Sequence, residues 1–85
     1  MILIRFLGNC KKVVGHSSLV YEKHPASINE IVSFMNRVAL SPETKLKRDN
    51  ILMVVNGVDS SVLNADELLV QDGDVVTVVP VVHGG

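Results

Sequence analysis

The chain has 85 residues, 47% of them hydrophobic and 20% charged, with a formal net charge of −1. That length holds one domain with one modest core, and the composition lies far from that of disordered chains. It argues against a membrane span, for which no apolar run approaches ~20 residues; against nucleic acid, with no basic excess and only Phe6, Tyr21 and Phe34 as aromatics; and, with Cys10 the lone cysteine, against an internal disulfide, an iron–sulfur cluster or a structural zinc.

Met1–Leu7 alternates around Arg5 and runs into Gly8-Asn9, which predicts a first strand ending near Leu7. A charge inside this apolar stretch, with no small-residue cleavage site after it, argues against a signal peptide and for a cytoplasmic protein. Lys11–Gly15 reads either as a short helical turn or as the start of a second strand. Ser18–Lys23 is extended, with Leu19 and Tyr21 on one face, and Pro25 breaks it. Ser27 and Glu30 then form a capping box, in which the hydroxyl accepts from the Glu30 amide and the carboxylate reaches back. Ile28, Ile31, Val32, Met35 and Ala39 follow at helical spacing, with Asn29, Glu30, Ser33 and Arg37 turned outward, and Ser41-Pro42 ends the helix.

Ile51–Val55 is an unbroken apolar run, the pattern of a strand buried on both sides. Asn56-Gly57 predicts a tight hairpin into a short return strand from Val58. Asn64–Leu68 reads as a capped turn, Asp72-Gly73-Asp74 as another, and Val75–Val79 as the last strand, closed by Pro80. The order β-β-α-β-β-β predicts an α+β, β-grasp (ubiquitin-like) fold: a mixed sheet of four to five strands, one main helix across one face, and the terminal strands adjacent in the middle. Residues 1–80 form this domain and 81–85 a flexible C-terminal tail.

Charge is unevenly placed along the chain. All eight Lys and Arg fall at or before Arg48, against Glu22, Glu30 and Glu43, whereas Asp49, Asp59, Asp66, Glu67, Asp72 and Asp74 face no base after it. Either this is ordinary surface scatter, or the C-terminal half presents an acidic face to a basic partner. Cys10 sits beside Lys11 and Lys12 in or near a loop, where cations would lower its pKa, yet neither a base nor an oxyanion site accompanies it.

The tail, Pro80-Val81-Val82-His83-Gly84-Gly85, offers a carboxylate on two residues without a Cβ. Such an end threads a narrow enzyme channel and lets a nucleotide phosphate come close. A carboxylate is a poor electrophile, and adenylation converts it into a mixed anhydride open to a thiolate or persulfide. Two terminal glycines alone carry little weight, because Gly makes up about 7% of residues generally. Their setting adds weight. Ile51-Leu52-Met53-Val54-Val55-Asn56-Gly57 and Leu69-Val70-Gln71-Asp72-Gly73-Asp74-Val75-Val76, then a valine-rich strand, Pro80 and Gly84-Gly85, resemble the sulfur-carrier and ubiquitin-related modifier family over the full length. That family includes the small subunit of molybdopterin synthase, the thiazole-synthesis sulfur carrier and the archaeal small modifiers.

The resemblance implies that Gly85 is the reactive residue, Gly84 its positioning partner, and His83, Val82 and Pro80 residues that position the tail. It implies an ATP-dependent adenylating enzyme as partner, with ATP used by that enzyme and no cofactor or metal held by this chain. It further implies a sulfur donor protein and either target-protein lysines or a sulfur-accepting enzyme. The protein is then a substrate and carrier, not an enzyme. His83-Gly84-Gly85 is similar to the ending of the eukaryotic ubiquitin-related modifier, and Pro80-Val81 to the molybdopterin synthase subunit and archaeal modifiers, so a dedicated molybdopterin synthase subunit is the nearest alternative. A β-grasp binding module with an inert tail is the alternative from another class.

Val75, Thr77 and Val79 share one face of the last strand, and Leu3, Arg5 and Leu7 one face of the first; Ile2, Ile4 and Phe6 would meet the helix. With the two strands adjacent, Leu3, Arg5, Leu7, Val75, Thr77 and Val79 form a largely apolar patch opposite the helix, a candidate docking surface. The competing reading is a second small core covered by loops.

Overall fold

A computed structural model describes residues 1–40, 46–60 and 68–81. The elements run β1 (Ile2–Phe6), α1 (Asn9–Val14), β2 (Ser18–Tyr21), β3 (Ala26–Ser27), α2 (Ile28–Val38), β4 (Ile51–Val55), β5 (Val58–Asp59), β6 (Leu69–Val70) and β7 (Val75–Pro80). Five strands form one mixed sheet in the order β2-β1-β7-β4-β5. The two terminal strands are parallel neighbours at its centre, with Leu3 opposite Val75 and Arg5 opposite Thr77. Parallel pairing requires a long connection between the partners, and here nearly the whole chain lies between them. This is the β-grasp fold that the element order predicts.

Local chemistry sets the ends of several elements. Ser27 Oγ accepts from the Glu30 amide at 3.1 Å, and the Ser27 amide donates to Glu30 Oε1 at 3.3 Å, so both arms of the capping box form. Asn56 (φ 50°) and Gly57 (φ 85°) both take positive φ, the conformation a two-residue hairpin needs, and Val55 pairs with Val58 across it. The core gathers Ile2, Ile4 and Phe6 of β1, Ile51, Met53 and Val55 of β4, and Val76 and Val78 of β7 into one cluster with Ile28, Ile31 and Met35 of α2.

One open alternative is decided and three expectations change. The stretch left open between helix and strand is α1, ended by Gly15 in the left-handed region, where the Gly15 amide donates to the Lys11 carbonyl at 2.8 Å. Cys10 is not in a loop: it is buried on the inner side of α1 with Val13 and Val14 while Lys11 and Lys12 stay exposed. Burial pushes its thiol up, outweighing a backbone hydrogen bond that lowers it, so the adjacent lysines do not activate it. β4 is not buried on both sides, because α2 covers one face of the sheet; Leu52 and Val54 lie half-buried on the other. Ala39 is the C-cap of α2 rather than a residue of the helix itself, and it packs half-buried against the core.

The sequence reading also missed the short β3–β6 pair, in which Ala26 lies opposite Val70, and the part played by Asn36. From α2, the Asn36 side chain donates to the Leu46 carbonyl and accepts from the Leu46 amide, both at 2.8 Å, imitating a strand partner and seating Leu46 in the core. The turn predicted at Asn64–Leu68 falls on residues 61–67, outside the described ones, except for Leu68, which packs against the core.

Candidate functional site: the open sheet face and the root of the tail

The face of the sheet opposite α2 is built by residues that alternate with the core. Because cross-strand partners project to the same side, the registers fix its layout. Val20, Leu3 and Val75 form one apolar row; Ser18, Arg5, Thr77, Val54 and Asp59 form a mixed row; Val79 and Leu52 form a third, with Leu7 following β1 on that side. The Leu7 amide donates to the Val78 carbonyl at 3.0 Å, carrying the β1–β7 pairing one residue past Phe6. Leu7 is 44% exposed and Val20 43%, while Leu3, Val75, Thr77 and Val79 are half-buried and Arg5 is exposed. All six predicted patch residues therefore share this surface. Val20, Leu52 and Val54 widen it, and sequence reading missed them: the first was set aside by its Leu19–Tyr21 face, the others by the unbroken apolar run.

At one end of β7 the chain reaches the root of the tail. Pro80 lies opposite Ile51 at the end of the ladder, and the Val81 amide donates to the Asn50 carbonyl at 3.0 Å. Gly8 packs on this point: at φ +55°, a Cβ there would come within 3.1 Å of Pro80 Cγ. A cleft of about 180 Å³ beside it is lined by Asn9, Cys10, Val13, Leu46, Asn50, Ile51, Pro80 and Val81. Val82, His83, Gly84 and Gly85 lie outside the described residues.

At the other end of β7 the two sequence motifs meet. Asp74 Oδ2 accepts from the Gln71 amide at 2.8 Å and Oδ1 from the Asn56 side chain at 2.9 Å; Asn56 Oδ1 accepts in turn from the Val75 amide at 2.9 Å. The Gln71 amide first, and the Asn56 side chain second, hold the Asp74 carboxyl below its usual range. Asp72 pairs with the Met1 amine and lies 3.7 Å from His24 Nε2. The Asn-Gly and Asp-Gly-Asp motifs thus lock two turns together, about six strand residues or ~20 Å from the root of the tail. Their work is architectural. Among the described residues, no three His, Cys, Asp or Glu side chains are placed to share a metal ion.

Residues 4–85 match the ThiS family, nearly the whole chain and including the terminal glycines. The chain belongs to the ThiS family. The neighbours of this ThiS-family protein among solved structures carry the same fold. The HVO 2177 protein of Haloferax volcanii superposes with a TM-score of 0.79 at 23% identity, covering 99% of this chain and 85% of that one. Urm1 of Trypanosoma brucei gives 0.73 at 25% identity, covering 99% and 94%. A chain of the BexX/CysO complex of Amycolatopsis orientalis gives 0.73 at 24% identity, with both chains covered completely. No curated protein sequence matches the chain. The resemblance read from the motifs holds: this is a ubiquitin-like member of the sulfur-carrier and modifier family, whose members are small carrier and modifier proteins. Among the described residues, no helix is long and apolar enough to cross a membrane.

Proposed function

We propose that this ThiS-family protein is a sulfur carrier and protein modifier that works through the carboxylate of Gly85. The observation that carries the reading is the family match running through Gly84-Gly85 on a β-grasp domain. A carboxylate oxygen of Gly85 attacks the α-phosphorus of ATP and pyrophosphate leaves. A persulfide sulfur on the donor protein then attacks the acyl carbon and AMP leaves. A second thiol cleaves the resulting acyl disulfide, and the thiocarboxylate is released. In the modifier branch, a thiolate takes the acyl group as a thioester, and a lysine amine displaces that thiol to leave an amide. ATP belongs to the activating enzyme, and this chain supplies the acyl group and the surfaces by which it is held. Val82 and His83 fit the tail to the enzyme's channel, and Gly84 keeps it narrow.

The open face is where the activating enzyme docks in this reading. It combines exposed Leu7 and Val20 with Arg5 beside them, an apolar centre with arginine of the kind that protein interfaces favour. Incubating the protein with ATP, its host's activating enzyme and a sulfur donor should replace one oxygen by sulfur at Gly85, read by intact mass. An unchanged mass in every combination removes the proposal. Lysine-linked adducts ending in Gly85, sought in digests of host lysate, distinguish the modifier branch from a carrier dedicated to one pathway. Val79→Glu should fold normally and lose most of its adenylation; full adenylation of that variant would remove the open face from the mechanism.

A further inference from the structure

Arg5 on β1, Lys11 and Lys12 on α1 and His16 after it come together along the edge of the open face. They border two continuous open grooves. One, of about 460 Å³, is lined by Gly8, Lys11, Lys12, Gly15, His16 and Ser17. The other, of about 360 Å³, shares Lys11 and Ser17 with it and adds Arg5, Leu3 and Leu7. Among the described residues, no carboxylate lines either one. Among the described residues, no acidic side chain pairs with these four: Asp72 is taken by the Met1 amine, Asp74 by Gln71 and Asn56, and Glu30 by the capping box. Part of the sequence's basic N-terminal half thus becomes a local cluster with no anion paired to it among the described residues.

We infer that this groove receives an acidic segment of the activating enzyme, beside the channel that takes the tail. The inference rests on the proposed function and names the chemistry of the partner that function requires. Position is the first argument. Gly8, in the groove wall, packs on Pro80, and the five residues beyond Pro80 can reach at most ~17 Å when fully extended. A partner that grips Gly85 therefore has surface close to Lys11 and Lys12. Rigidity is the second. The wall is tied to the sheet by the Phe6 amide donating to the Ser17 carbonyl at 3.0 Å, and to the chain leaving α2 by the Leu40 amide donating to the Val14 carbonyl at 3.3 Å. The cations are thereby held on a fixed scaffold.

The chemistry of the lining selects a protein over a nucleic acid. A single-stranded nucleic acid would need exposed rings on which bases stack. Phe6 and Tyr21 are buried, and Phe34 is half-buried, 4.8 Å from the Tyr21 ring with Arg37 over it. Leu3 and Leu7 instead continue the groove into the apolar face, so a partner with acids flanking an apolar centre matches both surfaces.

The test measures adenylation against carrier concentration at low and high salt, for the full chain with its host's activating enzyme. Lys11→Glu/Lys12→Glu leaves the open face and Arg5 intact; Lys23→Glu/Lys47→Glu makes the same change of net charge elsewhere. Circular dichroism melts establish that both are folded. The groove variant should raise KM by roughly tenfold, with kcat unchanged, and lose the rise of KM with salt seen for the native chain. The control pair should keep the native KM. Equal KM values for the two variants, or a native KM in the groove variant, would overturn the inference while leaving the proposed function standing. Failure of the native chain to be adenylated overturns both. Tight binding of an oligouridine RNA, abolished by Lys11→Glu/Lys12→Glu, would replace the acidic protein by a nucleic acid.

Discussion

On β1, Ile2, Ile4 and Phe6 are covered completely or nearly so, while their immediate neighbours Leu3, Arg5 and Leu7 remain half-buried or exposed. β4 repeats the contrast, with Ile51, Met53 and Val55 inside and Leu52 and Val54 on the far face. Leu3 and Leu52 are as apolar as the residues they alternate with, so side-chain hydrophobicity does not decide which face closes. The position of α2 decides it. Among the described residues, the sheet keeps a largely apolar face that its helices do not cover, the kind of surface that interaction sites present.

The largest effect separates the two faces directly. Ile4→Ala, which empties space in the closed core, should cost about 2–5 kcal/mol, whereas Leu3→Ala beside it should cost well under half of that, both read by denaturant unfolding. Equal losses would mean that the second face is also a core, and that the docking reading is wrong. A smaller loss tests what seals the closed face at its edge. Asn36→Leu strips the Leu46 amide and carbonyl of their partners and should cost about 1–3 kcal/mol. Gly15→Ala comes next, at about 1–2 kcal/mol. Gly15 sits at φ +85°, and an added Cβ would fall 2.5 Å from Leu40 Cγ, so Leu40 or the turn between α1 and β2 must shift. Asn36→Leu should leave the open face unaltered and KM for adenylation in the folded fraction native, whereas Gly15 lines the basic groove, so its variant is read by stability alone.

What could be read from the sequence was what local chemistry writes. The capping box of α2 and the Asn56-Gly57 hairpin each need only a few consecutive residues, and both formed as read. The pairing of the terminal strands followed from element order and was also legible. Features that depend on distant partners were not. α1 has six residues and no side-chain N-cap, so neither its length nor its start announces a helix; Cys10, Val13 and Val14 hold it through the core. β3 and β6 have two residues each and exist as a pair. Leu52 and Val54 could not be assigned to an open face while the other cover of the sheet was unknown. The basic groove was hidden for a related reason. Arg5 and Lys11 lie on different elements, and the lysines had drawn notice for Cys10, which faces the other way.

The smallest expected effect lies at the seam between the faces, where β7 begins. Asp74 is half-buried at the surface, where solvent screens its charge, so its influence on stability is modest and depends on charge. The Gln71 amide and then the Asn56 side chain favour its ionised form, which places its folded pKa below the unfolded value of ~3.9. With that sign, the carboxylate stabilises the fold at every pH above the unfolded value, and the contribution drains away as pH falls through it towards the folded one. Asp74→Ala should therefore lower Tm by a constant amount between about pH 5 and pH 8, and the gap to the native chain should narrow below about pH 4. Asn56→Ala removes the second of the two donors and should show a shallower version of the same profile. A gap that stays constant down to about pH 3 would mean that neutral hydrogen bonding, and not the charge, locks the two turns. In that case the seam would resemble the closed face, whose strength does not depend on pH, more than it resembles the charged edge of the open one.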